Sequence, residues 1–185
     1  GRKIVSRDGF RALTARNVAD AIGYSPGTLY NHFANLDELI IHLNARTLDD
    51  LNDAMSGITL THNPDDDIRL VLDCYLDFID THSALWHMLF DYTLPEGHDV
   101  PDWYSLKVQG VLAIVEDVLR PLFPENDSQG LSNFTRILWA GLHGITSLSD
   151  NGKLQVVTQQ SARDMAILMV TTMIRGVDAY AVREN

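Results

Sequence analysis

Residues 14–39 read Thr-Ala-Arg-Asn-Val-Ala-Asp-Ala-Ile-Gly-Tyr-Ser-Pro-Gly-Thr-Leu-Tyr-Asn-His-Phe-Ala-Asn-Leu-Asp-Glu-Leu. The punctuation of this stretch predicts two short helices joined by a tight turn. Thr14 precedes an apolar-periodic run and can cap it through its hydroxyl. Val18, Ala19 and Ile22 follow at spacings that place them on one buried stripe. Gly23 suits the left-handed residue that ends a helix. Ser25 can cap a second helix over about 26–33, and Pro26 fits its first turn, where a missing N–H costs nothing. Leu29 and Phe33 lie four apart and face inward. Asn35 caps a third helix, whose opening Asp37 and Glu38 complement its positive end.

Thr28, Tyr30, Asn31 and His32 are left on or near the outer face of the second helix. A short helix with an exposed hydroxyl, phenol, amide and imidazole suits phosphate and base contacts more than a plain surface. Helix-turn-helix readers present such a second helix to DNA. Thr14, Ser25 and Gly27 would meet phosphates through hydroxyl or backbone groups, and Pro26, which opens the second helix, is a further expected DNA-contacting residue. Arg16, near the start of the first helix, would reach phosphate or base.

On these residues the segment resembles the DNA-binding domain of the tetracycline-repressor (TetR) family. The resemblance rests on Thr14, Val18-Ala19, Gly23-Tyr24-Ser25, the run Gly27 to Phe33, and Asp37-Glu38-Leu39. It covers about forty of 185 residues. Leu36 departs from the pattern, because the family usually has there a Lys that meets a DNA phosphate. The resemblance implies an all-α fold, with a three-helix DNA-binding head over 1–46. A helical ligand-binding and dimerisation domain follows over 47–185, for about nine helices in all.

The formal net charge is −11 over 185 residues, which argues against non-specific nucleic-acid binding by the whole molecule. The charge is unevenly spread. Residues 1–46 hold six basic and four acidic side chains, a net of +2, leaving −13 for the rest. A mildly basic head on an acidic body can meet DNA with one end. The chain begins without Met inside what reads as a helix, so further residues are expected before Gly1. No apolar run is long enough to span a bilayer and no leader is visible, so a cytoplasmic protein is expected. The one cysteine, Cys74, has no internal partner and reads as a small buried hydrophobe.

Beyond residue 46 the pattern is helical throughout. The third helix should end near Gly57. Asn63-Pro64 reads as the cap of another helix, running to about His82, with Asp65, Asp66 and Asp67 as solvated charge in its first turn. A short helix follows over about 84–92, then a loop framed by Leu94-Pro95-Glu96-Gly97 and Val100-Pro101. Later helices are predicted over about 102–123, 128–150 and 158–180. The last is apolar all round from Met165 to Val170, and the one before it is similarly wide. Such helices need burial on more than one face. The simplest second cover is another copy of the chain. Leu138, Leu142, Ile145, Met165, Met169 and Met173 are the expected interface of a homodimer. Trp139-Ala140-Gly141-Leu142-His143-Gly144 resembles the Trp-x-x-x-His-Gly signature of one class of TetR-family C-terminal domains. Gly141 and Gly144 there permit close helix approach.

The family resemblance also implies a small-molecule effector, unidentified by the sequence. Tyr75, Phe78, Trp86, His87, Phe90, Trp103, Tyr104, Trp139 and His143 could line its pocket, since apolar cavities use large aromatics with polar tips. The same side chains could simply fill a core. No catalytic residues, metal site or cofactor are expected. The chain lacks a phosphate-binding glycine loop and metal-ligand motifs, and His82 and His87 are poorly spaced on either side of a helix break at Ser83. The sequence therefore reads as a non-enzymatic, homodimeric transcriptional regulator. It would act as a repressor on a pseudo-palindromic double-stranded operator and be released by a small molecule. An activator is not distinguished from a repressor on these grounds. The alternative reading is a helical small-molecule binder whose head has lost DNA binding.

Overall fold

The capping residues mark the helix boundaries. The computed structural model of the protein describes residues 1–95 and 99–181, with side chains described to residue 177. Ten α-helices occur among these residues: α1 Arg2–Asp8, α2 Ala15–Ile22, α3 Pro26–Leu29, α4 Leu36–Ser56, α5 Pro64–Thr81, α6 Ser83–Asp91, α7 Asp102–Leu119, α8 Ser128–Asp150, α9 Leu154–Val157 and α10 Ala162–Ala181. The four-residue α9 is additional to the expected set. Its Leu154 is buried, and this single anchor holds a turn too short to show periodicity. Glu96 and Gly97 of the expected loop lie outside the described residues.

Local chemistry sets most boundaries. Asn35 accepts a hydrogen bond from Glu38 N at 2.8 Å, and the Glu38 carboxylate reaches back to Ala34 N, so α4 starts with a reciprocal cap. Asn63 accepts from Asp65 N at 3.1 Å at the start of α5. Asp127 accepts from Gly130 N at 2.8 Å at the start of α8. Pro121 falls in a 3₁₀ turn, Arg120–Leu122, that closes α7. Gly152, at φ +65°, turns the chain after α8.

The chain divides into two compact units, each spanning two stretches: Gly1–Gly57 with Asp77–Val111, and Ile58–Leu76 with Leu112–Asn185. In the first unit, Ile4, Val5, Leu13, Val18, Leu29, Leu39 and Ile40 form a core together with Leu85 and Met88 of α6. Helix α6 therefore completes the core of the N-terminal helices, packing against both α1 and α4. Phe10 meets Tyr92 edge-on at 6.0 Å. Burial, together with the Asp37 carboxylate beside it, pushes the Tyr92 phenol well up. Lys107 of α7 pairs with Asp49 of α4 at 2.5 Å, and Trp103 stacks on His42 at 4.9 Å. These two contacts tie α7 to α4 along one side.

In the second unit, α8 packs on α10. They approach closely at Gly141, where an added Cβ would lie 2.6 Å from the Met169 sulfur. Leu138 and Leu142, expected at an interface, are instead buried inside this unit, and Met169 sits over Gly141 of its own chain. Sequence width alone does not tell which face of an all-apolar helix its own chain covers. The side chains left outward are Ile137 and Leu148 on α8 and Leu168 on α10. Gly144 lies on the same exposed stripe of α8 as Ile137 and Leu148, with open space where a Cβ would be. Ile145, Met165 and Met173 are half-buried, as is Cys74, which was expected to be buried.

Asp67 also corrects the sequence reading. Asp65 and Asp66 are exposed, but Asp67 is buried. Its carboxylate accepts from Thr61 N at 2.6 Å, the Thr61 hydroxyl at 2.8 Å and His62 N at 3.0 Å. It clamps a loop in which His62 holds φ at +66°, a conformation seldom adopted without glycine. Burial opposes the charge, but these bonds outweigh it and hold the carboxyl below its usual range. A depressed folded pKa contributes stability that is present above the unfolded value and lost as pH falls through the folded one. Asp67→Asn is expected to lower the thermal midpoint at pH 7, with the gap to wild type closing toward pH 3. An equal gap in melts at both pH values would refute this role.

Candidate nucleic-acid interface

The turn between α2 and α3 is fixed by backbone bonds. Gly23 adopts φ +75° and ψ 27°. Gly23 N donates to Asp20 O at 3.2 Å and Tyr24 N to Ala19 O at 3.0 Å, the paired closure of a Schellman motif. Thr14 caps the other end of α2, accepting from Asn17 N at 3.1 Å. Val18 and Ala19 anchor α2 to the core. Ile22, expected on the same buried stripe, is 55% exposed. It occupies the last turn of an eight-residue helix, where the small core has ended.

Helix α3 is shorter than expected. It spans Pro26–Leu29, and the chain then tightens: Asn31 N donates to Thr28 O and His32 N to Leu29 O, both i to i+3 bonds. Ser25 takes the extended conformation of a capping residue, yet its hydroxyl bonds no backbone N–H. It sits 3.2 Å from the Thr28 hydroxyl. Leu29 is buried and Phe33 packs on the same core. Leu36 also packs there, so the side chain standing where the family has a Lys serves the fold.

Every other candidate DNA-contacting residue remains at the surface. Thr14, Arg16, Ser25, Pro26, Gly27, Tyr30, Asn31 and His32 are exposed, and Thr28 is half-exposed. Ile22, Tyr24 and Tyr30 add large exposed side chains around the turn, the last 48% exposed. An exposed apolar cluster beside polar groups suits a partner surface. Gly27 adds a further sign. A Cβ there would meet nothing closer than Ser25 Oγ at 3.7 Å, so the fold itself leaves room for a side chain.

Few basic groups of the head are uncommitted. Arg2 and Arg46 pair with Asp50, and Arg7 binds Asp8. The Arg7 bond holds the Asp8 carboxyl below its usual range and raises the guanidinium. Arg16 lies 3.9 Å from Asp20 with both side chains largely exposed, a weak pairing. Lys3 and Arg11 form no ion pair with the described residues.

The nine expected pocket aromatics lie in different surroundings. In the first unit, Phe78 and Trp86 are buried and meet edge-on at 6.5 Å, and Trp86 meets Phe90 at 5.1 Å. His87 is half-buried, Trp103 is 38% exposed, and Tyr104 is half-buried with its phenol pushed up by burial. In the second unit Tyr75 is buried, and Trp139 and His143 stack at 6.0 Å. The first unit also holds a cavity of about 400 Å³. Of the nine aromatics only Tyr104 borders it; its other walls are set by residues that periodicity did not single out. Among the described residues no cluster of His, Cys, Asp and Glu could hold a metal ion, and no helix is long and apolar enough to cross a membrane.

A helix-turn-helix head joined to a helical body defines a class of transcriptional regulators, and comparison with known proteins agrees. Residues 1–43 match the family "Bacterial regulatory proteins, tetR family", and residues 68–173 match "Tetracyclin repressor-like, C-terminal domain". An HTH-type transcriptional regulator of Mycobacterium tuberculosis is 23% identical over 172 residues, covering 92% of this chain and 77% of its own. Among solved structures, a Rhodococcus protein of unknown function superposes with a TM-score of 0.74 at 17% identity, covering 95% of this chain and 90% of that one. The TetR family transcriptional regulator PfmR from Thermus thermophilus gives 0.60 at 16% identity, covering 94% of each chain. The chain belongs to the TetR family of DNA-binding transcriptional regulators, which are not enzymes.

Proposed function

We propose that the protein is a cytoplasmic repressor that binds a pseudo-palindromic operator as a homodimer and leaves it when a small molecule binds. The observation that carries this reading is the surface around Gly23. It is rigidly capped, exposed from residue 20 to residue 27, and edged by groups that read DNA. Tyr30, Asn31, His32 and Thr28 meet bases and sugars. Thr14, Arg16, Ser25 and Gly27 meet phosphate, with the bare Gly27 backbone admitting close approach and the Pro26 ring packing against the DNA beside it. The two heads of a dimer occupy successive major grooves about 34–36 Å apart. The partner covers Ile137, Leu148 and Leu168 together with the half-buried Ile145, Met165 and Met173. Effector binding favours a head separation that no longer fits the operator.

Selection from random double-stranded DNA with the full chain tests this reading. It should return a two-fold symmetric site; an unenriched pool would overturn it. Salt dependence gives a second test. Lys3, Arg11 and Arg16 are the head cations not firmly paired, or six in a dimer. Counterion release then limits the slope of log K against log salt to about −6 or shallower. A slope near −10 would mean that the docking surface lies elsewhere.

A further inference from the structure

The cavity of the first unit lies against the core of the DNA-reading head. Its walls are Ile41 and Asn44 of α4, Leu89 of α6, Tyr92, Thr93, Leu94, Asp99 and Val100 of the following loop, and Tyr104 of α7. Each of the first two helices alternates between two duties. On α4, Ile40 is in the head core while Ile41 faces the cavity; on α6, Met88 is in the head core while Leu89 faces the cavity. Anything that swells this cavity presses on the two helices that support the head.

Two polar atoms in the wall are buried without a hydrogen-bond partner, the Tyr92 hydroxyl and Asn44 Oδ1, and of the two only Asn44 Oδ1 is purely an acceptor. Asn44 is 3% exposed, and its Oδ1 is buried with no hydrogen-bond partner. Its Nδ2 donates to the Met88 carbonyl at 3.5 Å, a long bond. The amide cannot be reversed, because that would set Oδ1 against the Met88 oxygen. A buried acceptor left unpaired is costly, and it rewards any donor brought to it. The weak Nδ2 bond lets a modest turn about χ2 present Oδ1 to the cavity. The remaining lining mixes the apolar Ile41, Leu89, Leu94 and Val100 with the Tyr92 and Tyr104 rings, Thr93 and the exposed Asp99, and no Lys or Arg occurs among the described lining residues.

We propose that this cavity is the effector site, and that it takes a small, uncharged, largely apolar molecule that donates a hydrogen bond to Asn44, such as an indole or a phenol. The proposal rests on the effector-responsive reading above. Asp99, with no Lys or Arg among the described lining residues, disfavours carboxylates. The ligand wedges between α4 and α6, and the displacement travels along α4 to Asn35 and the end of the reading segment.

Titration of the full chain with indole and with benzofuran, which has the same shape but no N–H, tests this. Indole should bind, and benzofuran at least about ten-fold more weakly. Leu89→Trp, which fills the cavity, should remove both. Asn44→Leu should bring the two ligands to equal affinity. If Asn44→Leu does not fold, the wild-type ratio and Leu89→Trp still decide. Failure of indole to bind, equal affinities in the wild type, or indole binding that survives Leu89→Trp overturns the site. Operator affinity measured in the same titrations separates this from the broader reading. Indole held by Asn44 with no change in DNA affinity supports the cavity and overturns the effector role. Release from DNA by indole in Leu89→Trp upholds an effector but overturns this site.

Discussion

A double variant, Ile137→Glu with Leu168→Glu, is expected to be a folded monomer that binds the selected operator at least about 100-fold more weakly. Both side chains are more than half exposed on the free chain, so neither charge enters the protomer's own core. Burying such a side chain is worth about 1.5–3 kcal/mol. A two-fold interface buries each twice, so the variant forfeits about 6 kcal/mol of association even before four carboxylates repel. The DNA effect follows from linkage. Two joined heads gain about 10²–10⁴ in avidity over one, and a monomer loses it. Sedimentation at micromolar concentration checks the first claim and fluorescence anisotropy on the operator the second. A folded, dimeric double variant would place the interface elsewhere. Met169→Glu would be a poor substitute, because Met169 lies over Gly141 within the chain and a charge there would disturb the protomer itself.

That contrast shows what periodicity can and cannot convey. The caps were legible because each is a bargain among residues within five positions: Thr14 with Asn17, Gly23 with Asp20, Asn35 with Glu38. The long helices were legible for the same reason, and the family resemblance rested on the identities of the motif residues between Thr14 and Leu39. Periodicity also shows that α8 and α10 are apolar on several faces. Which face meets the chain's own core is a tertiary choice. Leu138 turned inward and Ile137 outward although both are apolar neighbours. Ile22 continues the stripe of Val18, but the core stops one turn short of it. Leu85 and Met88 join the head core from more than forty residues away, which no local pattern announces. Asp67 looked like its two neighbours and differs because a loop folds back onto it. The cavity beside Asn44 was illegible on the same ground, since its walls come from three helices and a loop. A buried Asn on a helix seam has no signature until its missing partner can be seen.

Tyr30→Ala is expected to weaken operator binding at least about 30-fold while leaving the thermal midpoint unchanged. Its ring is half exposed, and its backbone N–H, bonded to Pro26 O at 3.3 Å, is untouched by the substitution. Stability should therefore hold. A base or sugar contact is worth about 1–3 kcal/mol, and a dimer loses it in both heads, or about 2–6 kcal/mol in all. Two comparisons isolate the cause. Leu29→Ala, one residue away but buried, should instead loosen the head and lower its melting temperature, because it leaves a void under α3. Gly27→Ala fits the free fold, with its new methyl in ordinary contact with Ser25, yet holds the backbone off any phosphate. It should weaken binding to every sequence alike, whereas Tyr30→Ala should also relax the preference at the positions it reads. Unchanged operator affinity in both Tyr30→Ala and Gly27→Ala, with the fold intact, would remove the surface around Gly23 from the DNA interface.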